Sequence, residues 1–248
     1  MKKYKLSVGA IFQNEHMIIK EWIEHYFLHG VEHFYLINDS TDGFYKILSP
    51  YWHLVTVYRC DIPRVRGRQV MAYQKYFTPI LNDSEWFAVC DLDEYIYSPY
   101  EISIPKVLMK FENEPIIVLK WAWFGSNGHF EQPESIVRGF TRRAELGAKF
   151  LMDTPDGRMI CDTEGRKPII NTRFQFNEWK IHYDGNSYPD LIMNHYPIMS
   201  LEYFINYKMK RDPCCNNYRL KKKDKQYFID SDINEVEDLR LAQQNFNI

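Results

Sequence analysis

WFAVCDLDEY, residues 86–95, joins an apolar run to three carboxylates. The run Trp86 to Cys90 has the pattern of a buried strand, and Asp91, Asp93 and Glu94 follow it directly. Close carboxylates repel one another and need a counterion, and hard divalent cations prefer oxygen ligands. Residues two apart on a strand share a face, so we expect Asp91 and Asp93 to converge on one metal ion that binds phosphate. The alternative is that these acids only solvate the end of the strand and cap the next helix.

The composition favours one main domain over residues 1–248. Of the 248 residues 45% are hydrophobic and 16% are aromatic, which is enough for one sizeable core. The formal net charge of -2 argues against a general nucleic-acid-binding protein, because such proteins concentrate positive charge on one surface. No signal-peptide pattern and no long apolar stretch occur, so we expect a soluble, cytoplasmic protein. The five cysteines lack the Cys-x-x-Cys spacing of metal sites and are expected to be reduced thiols.

Strands and helices alternate through the first half of the chain. The predicted strands are Leu6 to Phe12, His33 to Ile37, about Leu54 to Tyr58 and Trp86 to Cys90. A helix is predicted after Asn14 from the helical spacing of apolar residues between Ile18 and Phe27, and another from about Gln69 to Leu81. Asn14 is predicted to cap the first helix and Gly30 to end it. This alternation implies parallel strands joined by right-handed crossovers. Ligands of such sheets bind beyond the carboxyl ends of the strands, where segments 13–15, 38–40 and 91–93 lie.

The pattern becomes irregular after a predicted strand at Ile116 to Leu119. An aromatic and glycine-rich loop runs from Trp121 to His129, and a helix is predicted from Ser200 to about Lys210. The basic run Lys221 to Lys225 is expected either to be a solvated charge run or to contact an anionic membrane.

Several short segments occur in an order and at spacings that resemble one group of enzymes. They are Asn14-Glu15, Glu21-Trp22-Ile23-Glu24-His25, Gly30-Val31-Glu32-His33-Phe34, Asn38-Asp39-Ser40-Thr41-Asp42, Gln69-Val70-Met71-Ala72-Tyr73, Trp86, Asp91-Leu92-Asp93-Glu94 and Trp123-Phe124-Gly125-Ser126-Asn127-Gly128-His129. The series spans residues 6–130, with a looser echo at 195–200, and resembles the glycosyltransferase family 92-like and family 2-like enzymes.

The resemblance implies an α/β fold of the GT-A (Rossmann-like) type, with a mostly parallel central sheet and an irregular C-terminal acceptor-side region. Residues 1–120 would form the nucleotide-sugar-binding half, 121–200 the acceptor-side half and 201–248 a helical tail. Carried onto this chain, Asp91 and Asp93 form the acidic pair that holds Mn²⁺ or Mg²⁺ against the diphosphate, and His195 completes the coordination. Imidazole suits Mn²⁺ better than Mg²⁺, so participation of His195 would favour manganese.

The resemblance also implies where the donor binds, with the end of the first strand beside the base and ribose. The residues expected to bind the donor are Ala10, Phe12, Asn14, Glu15, Asp39, Arg66, Gln69, Tyr73 and Leu92. Backbone groups can pair with a uracil edge and a carboxylate can accept from ribose hydroxyls, which favours a UDP-sugar. Asn14 has the competing role of a helix cap, and Asp39 that of an Asx turn. Arg66 lies with Arg64 and Arg68 before a helix, where guanidinium groups and the helix N-terminus attract phosphate.

The reaction implied is transfer of a sugar to a hydroxyl of a glycan or lipid-linked glycan, with inversion at the anomeric carbon. The metal would offset charge on the departing diphosphate, and a base would take the proton of the acceptor. Glu94, His129 and Glu131 are the candidate bases. The aromatic side chains of Trp121, Trp123 and Phe124 are expected either to stack on the acceptor or to pack in the core.

Three other interpretations remain open from the sequence. A haloacid dehalogenase-like phosphohydrolase also uses Asp-x-Asp after an apolar strand, although its pattern wants Thr or Val where Tyr95 stands. A sugar nucleotidyltransferase would show a Gly-rich phosphate loop with Arg after the first strand, and Val8 to Phe12 lacks one. A non-catalytic carbohydrate-binding protein of the same fold would not need both Asp91 and Asp93.

Overall fold

The computed structural model describes residues 2–39, 42–65, 67–145, 166–174, 190–210 and 223–244. Among the residues singled out above, Ser40, Thr41, Arg66, Lys221 and Lys222 lie outside these ranges, as do Cys161, Cys214 and Cys215. Cys60 and Cys90 are both free thiols.

The described ranges contain ten strands and eight α-helices. The strands are β1 (Tyr4–Phe12), β2 (His33–Asn38), β3 (Val55–Arg59), β4 (Ser84–Val89), β5 (Glu94–Tyr97), β6 (Ile116–Trp123), β7 (Arg142–Arg143), β8 (Arg166–Asn171), β9 (Ile192–His195) and β10 (Val236–Glu237). The helices are α1 (Ile19–Leu28), α2 (Tyr45–Leu48), α3 (Arg68–Tyr76), α4 (Ile104–Leu108), α5 (Ile136–Gly139), α6 (Leu201–Tyr203), α7 (Lys225–Ser231) and α8 (Arg240–Gln244). Short 3₁₀ helices span Ser49–Tyr51, Thr78–Asp83 and Met109–Phe111, and a π-helix, Phe204–Lys208, follows α6 directly.

Eight of the strands form one mixed sheet in the order β3-β2-β1-β4-β8-β6-β9-β5. The strands β3, β2, β1 and β4 are parallel neighbours, which confirms the arrangement predicted for the first half of the chain. β8 is antiparallel to both β4 and β6, β9 is parallel to β6, and β5 is antiparallel to β9. The α/β class is confirmed, but the later part of the chain is not merely irregular, because β8 and β9 complete the central sheet.

In both halves of the sheet, the strands that run in the direction of β4 have their carboxyl ends on the same side. β8 runs against β4 and β6, so β6 and its parallel partner β9 run in the direction of β4. The carboxyl ends of β1, β2, β3, β4, β6 and β9 therefore lie together. β5 runs the opposite way, which brings its first residue, Glu94, beside the last residue of β9, His195. We call this side of the sheet the carboxyl edge.

The first helix begins later than predicted. Its N-cap residue is Ile18, and no side chain in the described part of the protein caps it, so the prediction of Asn14 as the cap is wrong. Asn14 instead has a positive φ of 56°, a conformation that asparagine tolerates. The N–H groups of Ile18 and Ile19 donate to the carbonyl of Glu15, so a turn separates Asn14 from the helix. The predicted end at Gly30 is confirmed by its φ of 89° just after the helix.

Two later helices also differ from the sequence expectation at their ends. α3 ends at Tyr76 rather than Leu81, because Pro79 disfavours α-helix at the residue before it, and a 3₁₀ helix follows. The helix predicted from Ser200 to about Lys210 is present as α6 followed directly by the π-helix, which ends at Lys208. The Ser200 hydroxyl accepts from the N–H of Tyr203 at 3.1 Å. No helix in the described residues is long and apolar enough to span a membrane.

Apolar side chains cover both faces of the parallel strands. Val8 of β1 belongs to the core that includes Trp22 of α1, whereas Ile11 belongs to a second core that includes Tyr73 of α3. Burial on both faces explains why these strands are continuous apolar runs in the sequence.

The segment 223–244 is tied to the region after β6 by a buried carboxylate. β10 pairs with β7, and Asp238 accepts from Nε of Arg143 at 2.6 Å and from Nε of Arg240 at 2.9 Å. Burial raises the pKa of Asp238, but the hydrogen bonds from Arg240 and Arg143 outweigh burial and lower the pKa to about 2. Asp238 is therefore ionised in the folded protein at neutral pH.

This carboxylate should make the free energy of unfolding fall in acid. The folded-state pKa of Asp238, about 2, lies below the value of about 3.9 expected in the unfolded chain. Its stabilisation is therefore complete above about pH 5 and is lost as the pH falls through 2, a change of about 2 kcal/mol. Urea unfolding of the wild type and of Asp238→Asn over this range should give a difference that shrinks with acidification. A difference that stays constant with pH would contradict the assignment.

Candidate functional site

Polar segments from three parallel strands lie side by side at the carboxyl edge. The N–H of Asp39 donates to the carbonyl of Phe12 at 2.9 Å, and the N–H of Cys90 donates to the carbonyl of Gly9 at 3.0 Å. These bonds continue the parallel register past the ends of β2 and β4. The residues that follow β1, β2 and β4 thus meet where the sequence predicts a ligand site.

The acidic pair lies in a turn between β4 and β5, not on a strand. The N–H of Glu94 donates to the carbonyl of Asp91 at 3.0 Å, and Oε2 of Glu94 accepts from the N–H of Asp91 at 2.7 Å. Leu92 is buried, and the indole N–H of Trp22 donates to the carbonyl of Asp91 at 3.0 Å. The expectation that strand periodicity aligns Asp91 and Asp93 is therefore wrong. The alternative that the acids cap a helix is also wrong, because the next element is a strand.

Asp93 and His195 meet at the carboxyl edge although they are distant in sequence. The N–H of Tyr196 donates to the carbonyl of Asp93 at 2.9 Å, which continues the antiparallel pairing of β5 and β9. This pairing places Oδ1 of Asp93 3.8 Å from Nε2 of His195, and both side chains are 8% exposed. Nδ1 of His195 has no hydrogen-bond partner among the described residues. Two of the three predicted metal ligands are thus brought together.

Lys208 is a member of this site that the sequence did not reveal. It is the last residue of the π-helix, its side chain is 4% exposed, and its ammonium group donates to Oδ2 of Asp93. A single lysine in an aromatic helical segment carries no spacing signal, so no sequence pattern could have found it. Asp93, His195 and Lys208 therefore form a buried cluster built from three separate parts of the chain.

The charges of this cluster follow from its contacts. Burial raises the pKa of Asp93, but the Lys208 ammonium and then the His195 imidazole outweigh burial and hold that pKa well below its usual range. Burial is also the largest influence on His195 and lowers its pKa despite the nearby Asp93. At neutral pH the cluster therefore combines an anionic carboxylate, a neutral imidazole and an ammonium cation.

Asp39 is engaged by an arginine rather than exposed for a ligand. Nη2 of Arg68 donates to Oδ1 of Asp39 at 2.7 Å, and Nη1 donates to Oδ2. Nε of Arg68 donates to the carbonyl of Ile62 at 2.8 Å. The Asp39 and Arg68 side chains are only 3% and 6% exposed, respectively. Of the other two arginines considered for phosphate binding, Arg64 is exposed and Arg66 lies outside the described residues.

The other residues predicted to bind the donor lie on β1, on α3 and in the loops of the carboxyl edge. Asn14 is exposed, whereas Ala10, Phe12, Glu15, Gln69, Tyr73 and Leu92 are buried. Oε2 of Glu15 accepts from the N–H of Gln13 at 3.2 Å, and the Gln69 amide donates to the Tyr73 hydroxyl at 2.7 Å. Ligand binding by these residues stays a prediction.

The candidate bases occupy different environments. Glu94 is fully buried, and its side chain accepts a hydrogen bond from the N–H of Asp91. His129 lies in the loop after β6, with Nε2 2.9 Å from the carbonyl of Gly139, and Glu131 is exposed in the same loop. Their catalytic roles stay predictions.

Of the three aromatic residues expected to stack on the acceptor or to pack in the core, two are buried in the core and one lies at the site. Trp123 and Phe124 are buried, and the indole N–H of Trp123 donates to the carbonyl of Ser231 at 3.0 Å. Trp121 is half-buried, and its ring centroid lies 4.1 Å from that of His195. Trp121 thus lies against the Asp93 cluster.

The whole-chain sequence pattern matches a known enzyme family. The model of glycosyltransferase family 92 matches residues 2–241. The chain belongs to glycosyltransferase family 92. The resemblance to family 92 noted above is thereby confirmed, and family 92 membership makes the protein a glycosyltransferase, which uses a sugar donor and an acceptor. It supports the transferase interpretation over the phosphohydrolase and the non-catalytic binding protein.

Other comparisons add little to the family 92 assignment. No curated protein matches the sequence. Among solved structures, the crystal structure of HddC from Yersinia pseudotuberculosis is similar at 9% identity and a TM-score of 0.34, covering 89% of this chain and 87% of that chain. At that TM-score the likeness supports no conclusion about fold or function.

The metal-ligating side chains at this site of the family 92 enzyme meet part of the requirement for binding a divalent cation. A carboxylate and a neutral imidazole converge from Asp93 and His195, and both are in the protonation state that metal binding requires. No group of three or more His, Cys, Asp or Glu residues suited to a metal occurs among the residues that the structure describes. Further ligands would therefore have to come from Asp91, from the substrate or from water.

Removing Arg68 should destabilise this family 92 enzyme strongly. Arg68→Ala leaves the buried carboxylate of Asp39 without its partner, and breaking a buried ion pair in this way costs about 3–5 kcal/mol. Arg64→Ala, an exposed change four residues away, should alter the free energy of unfolding by less than about 0.5 kcal/mol. Chemical unfolding measures both values, and equal effects of the two variants would contradict a structural role for the Asp39–Arg68 pair.

Proposed function

We propose that this glycosyltransferase has a GT-A fold and moves a sugar from a nucleoside diphosphate, preferably UDP, to a hydroxyl of a glycan or lipid-linked glycan. The observation that carries the proposal is the meeting of Asp93 and His195 at the carboxyl edge of the sheet. Open α/β sheets bind nucleotides at this edge, and the ends of β1 and β2 lie beside it.

We propose that Asp93 and His195 hold Mn²⁺ or Mg²⁺, with Asp91 as the remaining protein ligand. The imidazole favours Mn²⁺. When bound, the cation supplies Lewis-acid stabilisation of the charge on the leaving diphosphate. Asp93 and His195 come from β-paired segments, so the backbone pairing orients both donors before any ligand arrives.

The donor would lie across the ends of β1 and β2. Its uracil would pair with backbone groups between Ala10 and Glu15. Asp39 is already bound by Arg68, so this pair would shape the ribose pocket, and Asp39 would accept from a hydroxyl only through a lone pair that Arg68 leaves open. Gln69 lies in the first turn of the helix that follows β3, where phosphate is favoured, and Tyr73 lies one turn later. In the sequence Arg66 precedes this helix, and its guanidinium group would contribute to the same phosphate site.

The transfer would invert the anomeric carbon in one displacement. The acceptor oxygen bonds to that carbon while the bond to the diphosphate breaks, the electron pair leaves with the nucleotide, and the acceptor proton passes to a base. Glu94 and His129 are engaged with backbone groups, whereas the Glu131 carboxylate is exposed, which favours Glu131 as that base. Trp121, half-buried against His195, would stack on the acceptor sugar.

Loss of the Asp93 carboxylate should abolish metal-dependent turnover. Asp93→Asn should lower the release of free nucleoside diphosphate from a panel of nucleotide sugars with Mn²⁺ by about 100-fold or more, because a Lewis-acid contribution is worth several kcal/mol. Asp190→Asn is the matched control, since Asp190 pairs with Lys110 at 3.2 Å and precedes β9 at the opposite edge of the sheet. Normal turnover by Asp93→Asn, or release of inorganic phosphate from simple phosphoesters by the wild type, would refute the proposal.

Loss of the His195 imidazole should weaken metal binding. His195→Ala should reduce the affinity for Mn²⁺ in the presence of UDP by about 10-fold or more, measured by calorimetric titration. His53→Ala is the control, because His53 is exposed and precedes β3 at the opposite edge. An unchanged Mn²⁺ affinity in folded His195→Ala would remove His195 from the site.

A further inference from the structure

The ammonium group of Lys208 is bonded to the carboxylate of Asp93, which the proposed function assigns as a ligand of the metal ion. It donates to Oδ2 of Asp93, while His195 faces Oδ1 at 3.8 Å. The Asp93 and Lys208 side chains are 8% and 4% exposed, so water screens their interaction little. Without a ligand, Asp93 is therefore a carboxylate whose charge is already balanced.

A divalent cation that reaches this site alone meets an unfavourable arrangement. It must either displace the Lys208 ammonium from Asp93 or bind next to it, and a displaced ammonium would lose its partner in a buried position. Lys223 adds a second positive charge close enough to act on Asp93 and His195. A nucleoside diphosphate removes this obstacle, because its oxygens offer the ammonium group a new anionic partner.

We propose that Lys208 makes metal binding depend on the nucleotide: it neutralises Asp93 in the empty site and turns to the diphosphate when donor and cation bind together. This inference rests on the proposed function. It gives Lys208 direct contact with the leaving group, where its charge would add to that of the cation.

The position of Lys208 suits such an exchange of partners. Lysine is a compact charge on a flexible four-carbon stem, so its ammonium can shift while the stem stays packed. Lys208 ends a π-helix, a rare form that is frequent at functional sites. The same helix carries Phe204, which contacts Phe228 with ring centroids 5.1 Å apart and so anchors the helix at its other end.

The test compares Mn²⁺ affinity with and without UDP, measured by the electron paramagnetic resonance signal of free Mn²⁺. Lys208→Met and Lys208→Gln remove the charge, Lys208→Arg keeps it, and Lys210→Met removes an exposed lysine two residues away. In the wild type, UDP should raise Mn²⁺ affinity by about 10-fold or more, and Mn²⁺ should raise UDP affinity by the same factor.

The neutral variants should bind Mn²⁺ without UDP about 10-fold more tightly than the wild type, and their coupling between UDP and Mn²⁺ should fall by a similar factor. Lys210→Met should behave like the wild type, and Lys208→Arg, which keeps the charge, should bind Mn²⁺ without UDP no more tightly than the wild type. A lysine that only stabilises the fold would change the unfolding temperature of Lys208→Met without tightening Mn²⁺ binding. If Lys208→Met does not fold, Lys208→Gln gives the same comparison with a side chain that still donates to Asp93.

The outcomes separate this inference from the proposed function. Unchanged or weaker Mn²⁺ binding by both folded neutral variants, with UDP-dependent Mn²⁺ binding intact in the wild type, would overturn the role of Lys208 alone. A wild type that binds no Mn²⁺ even with UDP would overturn the proposed metal site and the role of Lys208 with it.

Discussion

The site depends on the burial of one ionised carboxylate, that of Asp93. A carboxylate withdrawn from water needs opposite charge and hydrogen-bond donors, because desolvation otherwise favours its neutral form. Lys208 supplies the charge and His195 faces the second oxygen. Each partner comes from a different segment, so the charge of Asp93 is maintained only when the β4–β5 turn, β9 and the π-helix are all in place. The ionised state of Asp93 therefore requires the packing of these three segments.

The order of strands explains how residues from both halves of the chain reach one edge. β8 runs against β4 on one side and β6 on the other, which returns β6 and β9 to the direction of the parallel strands. The carboxyl edge of the parallel half therefore continues across the mixed half. His195 ends β9 at this edge, and Glu94 begins β5 beside it. Both halves of the chain consequently contribute to the Asp93 cluster.

The parallel half of the fold and its carboxyl edge could be predicted from the sequence, because strands buried on both faces leave continuous apolar runs between helical periodicities. The family resemblance, and no local pattern, points to His195. Lys208 could not be found, since its partner is set by tertiary packing. Tertiary packing likewise sets the pairing of Asp39 with Arg68, which no sequence pattern indicates. The sequence predicts Asp91 and Asp93 at the correct edge but on a strand, whereas they lie in a turn that the Glu94 side chain closes through its hydrogen bond to the backbone.

The acidic residues of the carboxyl edge would repel a nucleoside diphosphate if their charges were open to it. Asp93 and Asp39 each carry a buried cationic partner instead. Oε2 of Glu94 and Oε2 of Glu15 both accept from backbone N–H groups, which spreads part of their charge over peptide dipoles. Much of the negative charge that the sequence places here is therefore balanced within the protein. The proposed nucleoside diphosphate donor could therefore approach this edge before the proposed cation, and the two would then strengthen each other's binding.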